Sequence, residues 1–483
     1  MKWSKKTVAK NKFMKHKFLR SFWLKSAVTL LLTVNFAFAQ QPRDFSKENA
    51  RASQEWVKDA VIYEIFERQY SQKGDFNSIT ADLDRLKDLG VTVLWLMPIH
   101  PIGREKAKGT VGSPYAVKDY YAINPDYGTS QDLKRLISES HKRGMKVIID
   151  IVANHTAWDS VLMKDKSFYT QNAKGEIIPP VPDWADVADL NYDNPNLRKY
   201  IIDMLKMWTR DYDLDGFRCD VAGFVPTDFW ETARAEVDKI KPNTLWLAEW
   251  ESPDLLTKAF DLDYSWNIHS TMTEVLQGTK NASEIRKIWE EQKAKFPRNA
   301  LRMRFSDNHD ERRAIVRFGE KGALAAQALV FTLDGVPMLY NGMENGDTTE
   351  SGSPALFEKM PIFWQFKERR PEFPKFYKAM IALRKNSVAL RRGDVNWLKN
   401  SDENHVLTFS RRAGSEEILV AINLSNQPFF GSIEASGNFE EITPDIGPPL
   451  PPDDDKLKAK TKTNVGLPSL SLDAFGFRIF RRK

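Results

Sequence analysis

The sequence predicts an α/β chain: a (β/α)8 TIM barrel with a small insertion after the third strand and an all-β sandwich domain at the C-terminus. Three observations carry this reading. Eight apolar, β-branched runs alternate with helical ones between residues 60 and 387. Eight such units over about 300 residues match a barrel with insertions. Beyond residue 388 the helical period disappears and short strands with turn residues replace it.

The elements follow in order. "AVIYEIF" (60–66) is a strand, and "ITADLDRLKDLG" (79–90) is a helix stopped by Gly90. "VTVLWLMP" (91–98) is a strand ended by Pro98, and "SQDLKRLISESHKRG" (130–144) is a helix with a Ser cap and a Gly stop. "MKVIIDIV" (145–152) is the third strand. The Pro-, Asp- and Trp-rich stretch 155–193 reads as the inserted excursion. A helix (194–212) leads into the strand of "DLDGFRCDVAGFV" (213–225), followed by a helix at 226–240. Strand "NTLWLAEW" (243–250), a short helix (252–260) and a weaker strand (260–266) come next, then a helix at 282–296. The last units are strand "ALRMRFSDNHD" (300–310), a helix at 320–335, strand "VPMLYNG" (336–342), a long loop (343–370) and a closing helix (371–387). Past it, "HVLTFSRRA", "EILVAINLSN", "FGSIEA" and "AFGFRIFRRK" are short strands, and 443–464 is a Pro-rich, charged loop. The division is therefore 1–39, 40–387 with its insertion at about 155–193, and 388–483.

Residues 1–39 read as a secretory signal. Nine Lys or Arg and no acid precede or flank the apolar run "AVTLLLTVNFAFA", with small residues Ala37 and Ala39 before Gln40. The run is short for a membrane span, so the expectation is a cleaved leader, a secreted or periplasmic product and no lasting membrane anchor. Met14 is an alternative start that leaves a shorter leader. The net charge of +6 falls to −3 once these residues are removed. Charge therefore gives no support for nucleic-acid binding. The one cysteine, Cys219, cannot form an internal disulfide and reads as a core residue. Nothing in the sequence signals an oligomeric state.

Four strands end in ionisable residues, at the barrel pole where active sites are built. They give Asp150, Asn154 and His155; Arg218 and Asp220; Glu249; and Asp307, His309 and Asp310. One such acid is ordinarily a satisfied ion pair or a helix cap. Four convergent strand ends concentrate like charge, which costs stability unless chemistry uses it. Two carboxylates about 5 Å apart serve retaining glycoside hydrolysis, one attacking the anomeric carbon and one protonating the leaving oxygen. Arg218 and Asp220, two apart on one strand face, suit a carboxylate kept ionised by a guanidinium. Neighbouring carboxylates and the apolar wall of Trp250 suit an acid of raised pKa at Glu249. The 14 Trp and 13 Tyr suit stacking on sugar rings, or equally a large core.

With these residues in view, the chain resembles the α-amylase family of glycoside hydrolases (family 13) over about residues 55–483. "DIVANH" (150–155), "GFRCD" (216–220), "LAEW" (247–250) and "FSDNHD" (305–310) are similar to its four ordered regions. "SPYAVKDYYAINPDYGT" (113–129) and "GVPMLYNGME" (335–344) are similar to two further motifs. The resemblance implies Asp220 as nucleophile, Glu249 as general acid/base and Asp310 as the third carboxylate. It implies Arg218 orienting Asp220, His155 and His309 bonding the sugar, Tyr115 stacking on it, and Asp150 and Asn154 as structural support. No cofactor is needed for that chemistry. A structural calcium is implied in many members, with Asn154 and Asp183, Asp186 or Asp189 as candidate oxygen ligands here; the alternative is that these acids are solvated loop residues. The Lys-His pair that many members carry after the nucleophile is replaced by Gly223 and Phe224. "DVAGFVP" is closer to enzymes of cyclodextrins and short maltooligosaccharides, while Val221 also occurs in relatives that cleave α-1,6 links. "VADLN" (187–191) lies between subgroups. The expected partner is an α-glucan or maltooligosaccharide cleaved at α-1,4 bonds. Transglycosylation, α-1,6 cleavage and a non-catalytic glucan- or protein-binding role are the alternatives.

Overall fold

Eight parallel strands close into a barrel in chain order: Ile62–Ile65, Val93–Leu96, Lys146–Ile151, Gly216–Cys219, Leu245–Ala248, Leu262–Tyr264, Leu301–Arg304 and Val336–Tyr340. They are numbered here one to eight as barrel strands. The structure is a computed structural model that describes residues 43–446 and 467–483. The expected leader and residues 447–464 of the Pro-rich stretch lie outside them. Among the described residues, no helix is long and apolar enough to cross a membrane.

The strand runs are apolar throughout because both faces are buried. One face packs inside the barrel and the other meets the helix ring. Gly216 opens the fourth strand with φ 147°, and a Cβ there would stand 1.8 Å from the Leu245 carbonyl oxygen. Only glycine lets the fourth and fifth strands approach so closely at their start.

The helices differ from the sequence pattern in several places: the helix expected at 320–335 runs Ala314–Thr332, the loop 343–370 holds helices Ser353–Phe357 and Phe366–Arg369, and Val388–Arg392 adds a turn after the closing helix. The expected helix 79–90 is two helices, Phe76–Ala81 and Leu83–Leu89. They break at Asp82, whose carboxylate accepts bonds from Arg85 Nε at 2.8 and 3.0 Å and from Tyr70. The cap of helix Ser130–Lys142 is Thr129 rather than Ser130, in a reciprocal capping box with Asp132. Helix Trp266–Leu276, which the pattern does not announce, buries Ile268, Met272, Val275 and Leu276 on one stripe.

The inserted stretch is tied at both ends by one antiparallel pair, His155–Ala157 with Val187–Asp189, in which His155 faces Asp189. The C-terminal region is a sandwich. Asp394–Trp397, Val406–Ala413, Glu416–Asn423, Phe477–Arg482 and Phe439–Glu441 form one antiparallel sheet in that order, and Phe429–Ser432 pairs with Ser469–Leu472 in the other. Leu419, Ala421 and Phe480 pack between the sheets. Their neighbours Ile418, Val420, Ile422 and Ile479 join the core of the barrel. Period-two alternation thus buries both faces of the central strands.

Candidate active site

The site starts from strand register. Asp150 on the third strand lies beside Arg218 on the fourth, and Arg218 lies beside Leu247 on the fifth. The ladder then continues one residue past the strands: Asp220 N–H donates to the Ile151 carbonyl at 2.9 Å, and Glu249 N–H to the Cys219 carbonyl at 3.0 Å. Backbone therefore fixes Asp150 and Arg218 at one level of the barrel mouth, and Asp220 and Glu249 two residues further out. Cys219, between them in sequence, belongs to the apolar core, and burial pushes its thiol up.

Arg218 is fully buried. Its Nη1 reaches both oxygens of Asp150 at 2.9 Å and Oδ1 of Asp220 at 3.1 Å, and its Nη2 lies 3.0 Å from Glu249 Oε2. The Trp95, Tyr115 and Tyr264 rings surround it, with centroids 5.1–5.7 Å from the guanidinium carbon. Burial opposes the charge, but Asp150 and Glu249 outweigh it and hold the guanidinium protonated.

One cation cannot neutralise three carboxylates. Burial raises Asp150, and it raises Asp220 well above the usual carboxylate range, with Glu249 adding to the effect and Arg218 opposing it. The expectation that Arg218 simply keeps Asp220 low is thus corrected: the guanidinium is divided among three acids.

The chain turns sharply after Asp220. Val221 has φ 35°, an unfavourable conformation for a β-branched residue. That turn aims Val221 N–H at Glu249 Oε2, 2.9 Å away, so the strained residue also orients the second carboxylate.

The two histidines differ. His155 is buried, its Nε2 is 3.9 Å from Asp220 Oδ2, and burial lowers its pKa to about 4, so it is neutral. Asn154 supports it through a 3.3 Å contact to Nδ1. His309 Nε2 lies 2.7 Å from the Tyr115 hydroxyl and 3.3 Å from Asp310 Oδ2. Tyr115 stacks on His309 at 5.4 Å and also donates to Asp150 at 3.1 Å. Asp310, the more exposed acid, sits on the loop after the seventh strand, where Asn308 accepts its backbone N–H at 3.0 Å. Asp307 points away and caps the next helix by accepting Ala314 N–H at 3.0 Å. All the expected substrate-facing residues therefore meet at one mouth. Glu64 on the first strand also reaches it through His309, and the sequence reading missed it. Its signal was there: a lone acid in an apolar strand, the same pattern as Arg218.

The calcium candidates do not meet in this way. Asp183 is exposed. Buried Asp186 is bound by Lys108 at 2.7 Å, and the same ammonium takes the Asp183 carbonyl at 2.9 Å. Among the described residues, no three His, Cys, Asp or Glu side chains converge as a metal site. Between Asp183 and Asp186 the chain supplies its own cation, Lys108.

The profile described as "Alpha amylase, catalytic domain" matches residues 40–176 and 182–397. The chain belongs to the α-amylase family of glycoside hydrolases. Among curated relatives, the alpha-amylase of Haloarcula japonica is 28% identical over 393 residues, which is 77% of this chain and 56% of the relative. The "intracellular maltogenic amylase" of Bacillus subtilis is 29% identical, covering 77% of this chain and 69% of its own length. Among solved structures, an alpha-amylase from Lactobacillus plantarum is 32% identical with TM-score 0.77, covering 89% of this chain and all of that one. A maltogenic alpha-amylase from Thermotoga neapolitana is 30% identical with TM-score 0.75, covering 88% of this chain and 96% of that one.

If Lys108 serves as the internal cation, EDTA leaves the melting temperature of this α-amylase family member unchanged in calorimetry. Lys108→Met then costs about 1 kcal/mol by leaving Asp186 unpaired. A wild-type melting temperature that falls in EDTA and recovers with added calcium would contradict this.

Proposed function

We propose that this chain is a retaining α-glucan hydrolase that cleaves α-1,4 bonds in maltooligosaccharides and starch-derived chains, cyclodextrins included. The observation that carries the reading is Arg218 binding Asp220 and Glu249 through its two terminal nitrogens. This brings an attacking and a protonating carboxylate to adjacent positions, as the retaining geometry of about 5 Å requires.

In the first step Asp220 attacks the anomeric carbon while Glu249 gives its proton to the departing glycosidic oxygen. A glycosyl ester on Asp220 results. In the second step Glu249 takes a proton from water, which attacks the same carbon and releases Asp220. The mechanism requires the proton on Glu249 when Asp220 attacks, and the Arg218 Nη1 contact to Asp220 stabilises the attacking carboxylate. Asp310 and the two histidines bond the sugar hydroxyls, and Tyr115 supplies the stacking wall.

The rim supports short or cyclic substrates. Phe224 is 40% exposed and lies between Trp184 and Trp250, with ring centroids 6.0 and 5.3 Å away. Gly223 makes the shelf possible, because a Cβ there would stand 2.1 Å from the Trp250 indole. Where a Lys-His pair would offer charge, this chain offers apolar ring faces to the leaving sugar. The names of its relatives, maltogenic amylase and cyclomaltodextrinase, support the same substrates. The shelf also favours a second sugar over water as acceptor, which makes transglycosylation the second reading.

The protein from Gln40 onward, incubated with starch, maltoheptaose, a cyclodextrin, pullulan and isomaltose, is expected to release maltooligosaccharides from the first three. Asp220→Asn lowers kcat by about 10⁴-fold or more, and Phe224→Ala raises KM for maltoheptaose roughly threefold to tenfold. Products longer than the substrate would establish transfer. Cleavage of pullulan or isomaltose alone would overturn the α-1,4 assignment, and glucan binding without reducing-sugar release would overturn hydrolysis.

Export is the second part of the proposal, supported by the leader pattern of residues 1–39. In a Gram-negative host, N-terminal sequencing of periplasmic or secreted product is expected to begin at Gln40. An uncleaved chain retained in the cytosol or on the membrane would contradict it.

A further inference from the structure

The first barrel strand carries a carboxylate that the two-step hydrolysis does not use. Glu64 is fully buried between Tyr63 and Ile65. Strand register places it beside Trp95 on one side and Tyr340 on the other. Its Oε1 is hydrogen-bonded to His309 Nδ1, and its Oε2 meets no donor. The far nitrogen of the same ring, Nε2, is the one that faces Tyr115 and Asp310. The imidazole is thus gripped at its back by Glu64 and presents its front to the sugar position.

A carboxylate at the bottom of an apolar wall is a poor stability device. Taking a charge out of water costs several kcal/mol, and an apolar residue would pack the strand as well. What a carboxylate supplies there, and an apolar residue cannot, is a fixed tautomer, a fixed ring orientation and negative charge at Nδ1. Burial opposes a charged imidazole, but Asp310 and Glu64 outweigh it and lift His309 to about 9. Burial raises the Glu64 carboxyl too, so the Glu64–Nδ1 contact holds a proton through the neutral range. The other ionisable groups facing the ring are Tyr115 from the loop after the second strand, Asp150 from the third and Arg218 from the fourth.

We propose that Glu64 is a positioning residue of the hydrolytic site: it clamps His309 through Nδ1 and keeps the ring a donor at both nitrogens, so that Nε2 holds Tyr115 and Asp310 in place and sets a fixed positive charge beside the sugar being cleaved. The proposal rests on the reading of this site as a retaining glycosidase. It gives the two histidines different tasks, a neutral one at His155 and a cationic one at His309. The sign follows directly. His309 is charged below about 9 and loses the proton above it, so activity that depends on the charged ring falls as pH rises through that value. Removing the Glu64 charge leaves burial less opposed, lowers the His309 pKa and moves the alkaline limb to lower pH.

The test has two arms on the protein from Gln40 onward. In the first, pH profiles of kcat and kcat/KM on maltoheptaose are compared for wild type, Glu64→Gln and Glu64→Asp. Glu64→Gln is expected to lower kcat by roughly tenfold, with a smaller change in KM, and to shift the alkaline limb down by about one pH unit or more. Glu64→Asp keeps the charge and recovers part of the shift. In the second arm, histidine-selective ¹⁵N NMR follows the imidazoles, with His309 assigned by its loss in His309→Asn. A ring that stays protonated to about pH 9 in wild type, and titrates lower in Glu64→Gln, supports the clamp. A Glu64→Gln profile that is scaled down at every pH without a shift would show a merely structural role and overturn the proposal. So would a wild-type His309 titrating near 6.5. If Glu64→Gln does not fold, the wild-type titration decides. If wild type hydrolyses no glucan, the glycosidase reading fails while the NMR arm still decides whether Glu64 controls His309.

Discussion

A single buried guanidinium holds the acidic mouth of the barrel together. Arg218 touches Asp150, Asp220 and Glu249, which come from three adjacent barrel strands. Without it, three acids would face one another in a site closed off by Trp95, Tyr115 and Tyr264. Burying any one of these ions alone costs several kcal/mol. The cluster is tolerable because each acid touches the one guanidinium and the backbone ladder, not the side chains, sets the spacing. That is also why it can do chemistry. Retaining hydrolysis requires one proton-donating and one free carboxylate, and Arg218 touches both acids proposed for those roles.

The surroundings refine that core. The strained turn at Val221 gives up local backbone stability to orient Glu249. The loop after the seventh strand is braced by the one after the eighth: Gly352 N–H bonds the His309 carbonyl at 2.9 Å, and a Cβ at Gly352 would stand 2.8 Å from the Asp310 carbonyl oxygen. Lys108 ties the loop after the second strand to the insertion through Asp186. The loops that shape the mouth are thus held by polar contacts, while the acids themselves sit on or next to rigid strands.

The sequence made the barrel legible because its strands are continuous apolar runs separated by helical periods. It made Arg218 and Asp220 legible because two charges on one face of such a run are locally anomalous. Contacts distant in sequence were not legible. Glu64 and His309 are 245 residues apart and meet only because the barrel closes. Lys108 and Asp186 lie in polar loops that have no periodicity to reveal a pairing. The break at Asp82 was invisible for the same reason, since Tyr70 comes from outside the helical pattern. The short strands Asp394–Trp397, Phe439–Glu441 and Ser469–Leu472 were missed because alternation over three or four residues is too brief to stand out from a loop. Proton placement is set by burial and by neighbours on other strands, so the raised Asp220 could not be read from an Arg two residues away.

The most direct test of the account is to trap the intermediate. Glu249→Gln removes the acid/base, and α-maltosyl fluoride carries a leaving group that needs no protonation. Glycosylation of Asp220 should then proceed while water attack stalls. Peptide mass spectrometry is expected to find a maltosyl adduct on Asp220, absent in the Glu249→Gln, Asp220→Asn double variant. An adduct on another carboxylate, or fluoride release with inversion at the anomeric carbon, would contradict the arrangement of nucleophile and acid built around Arg218.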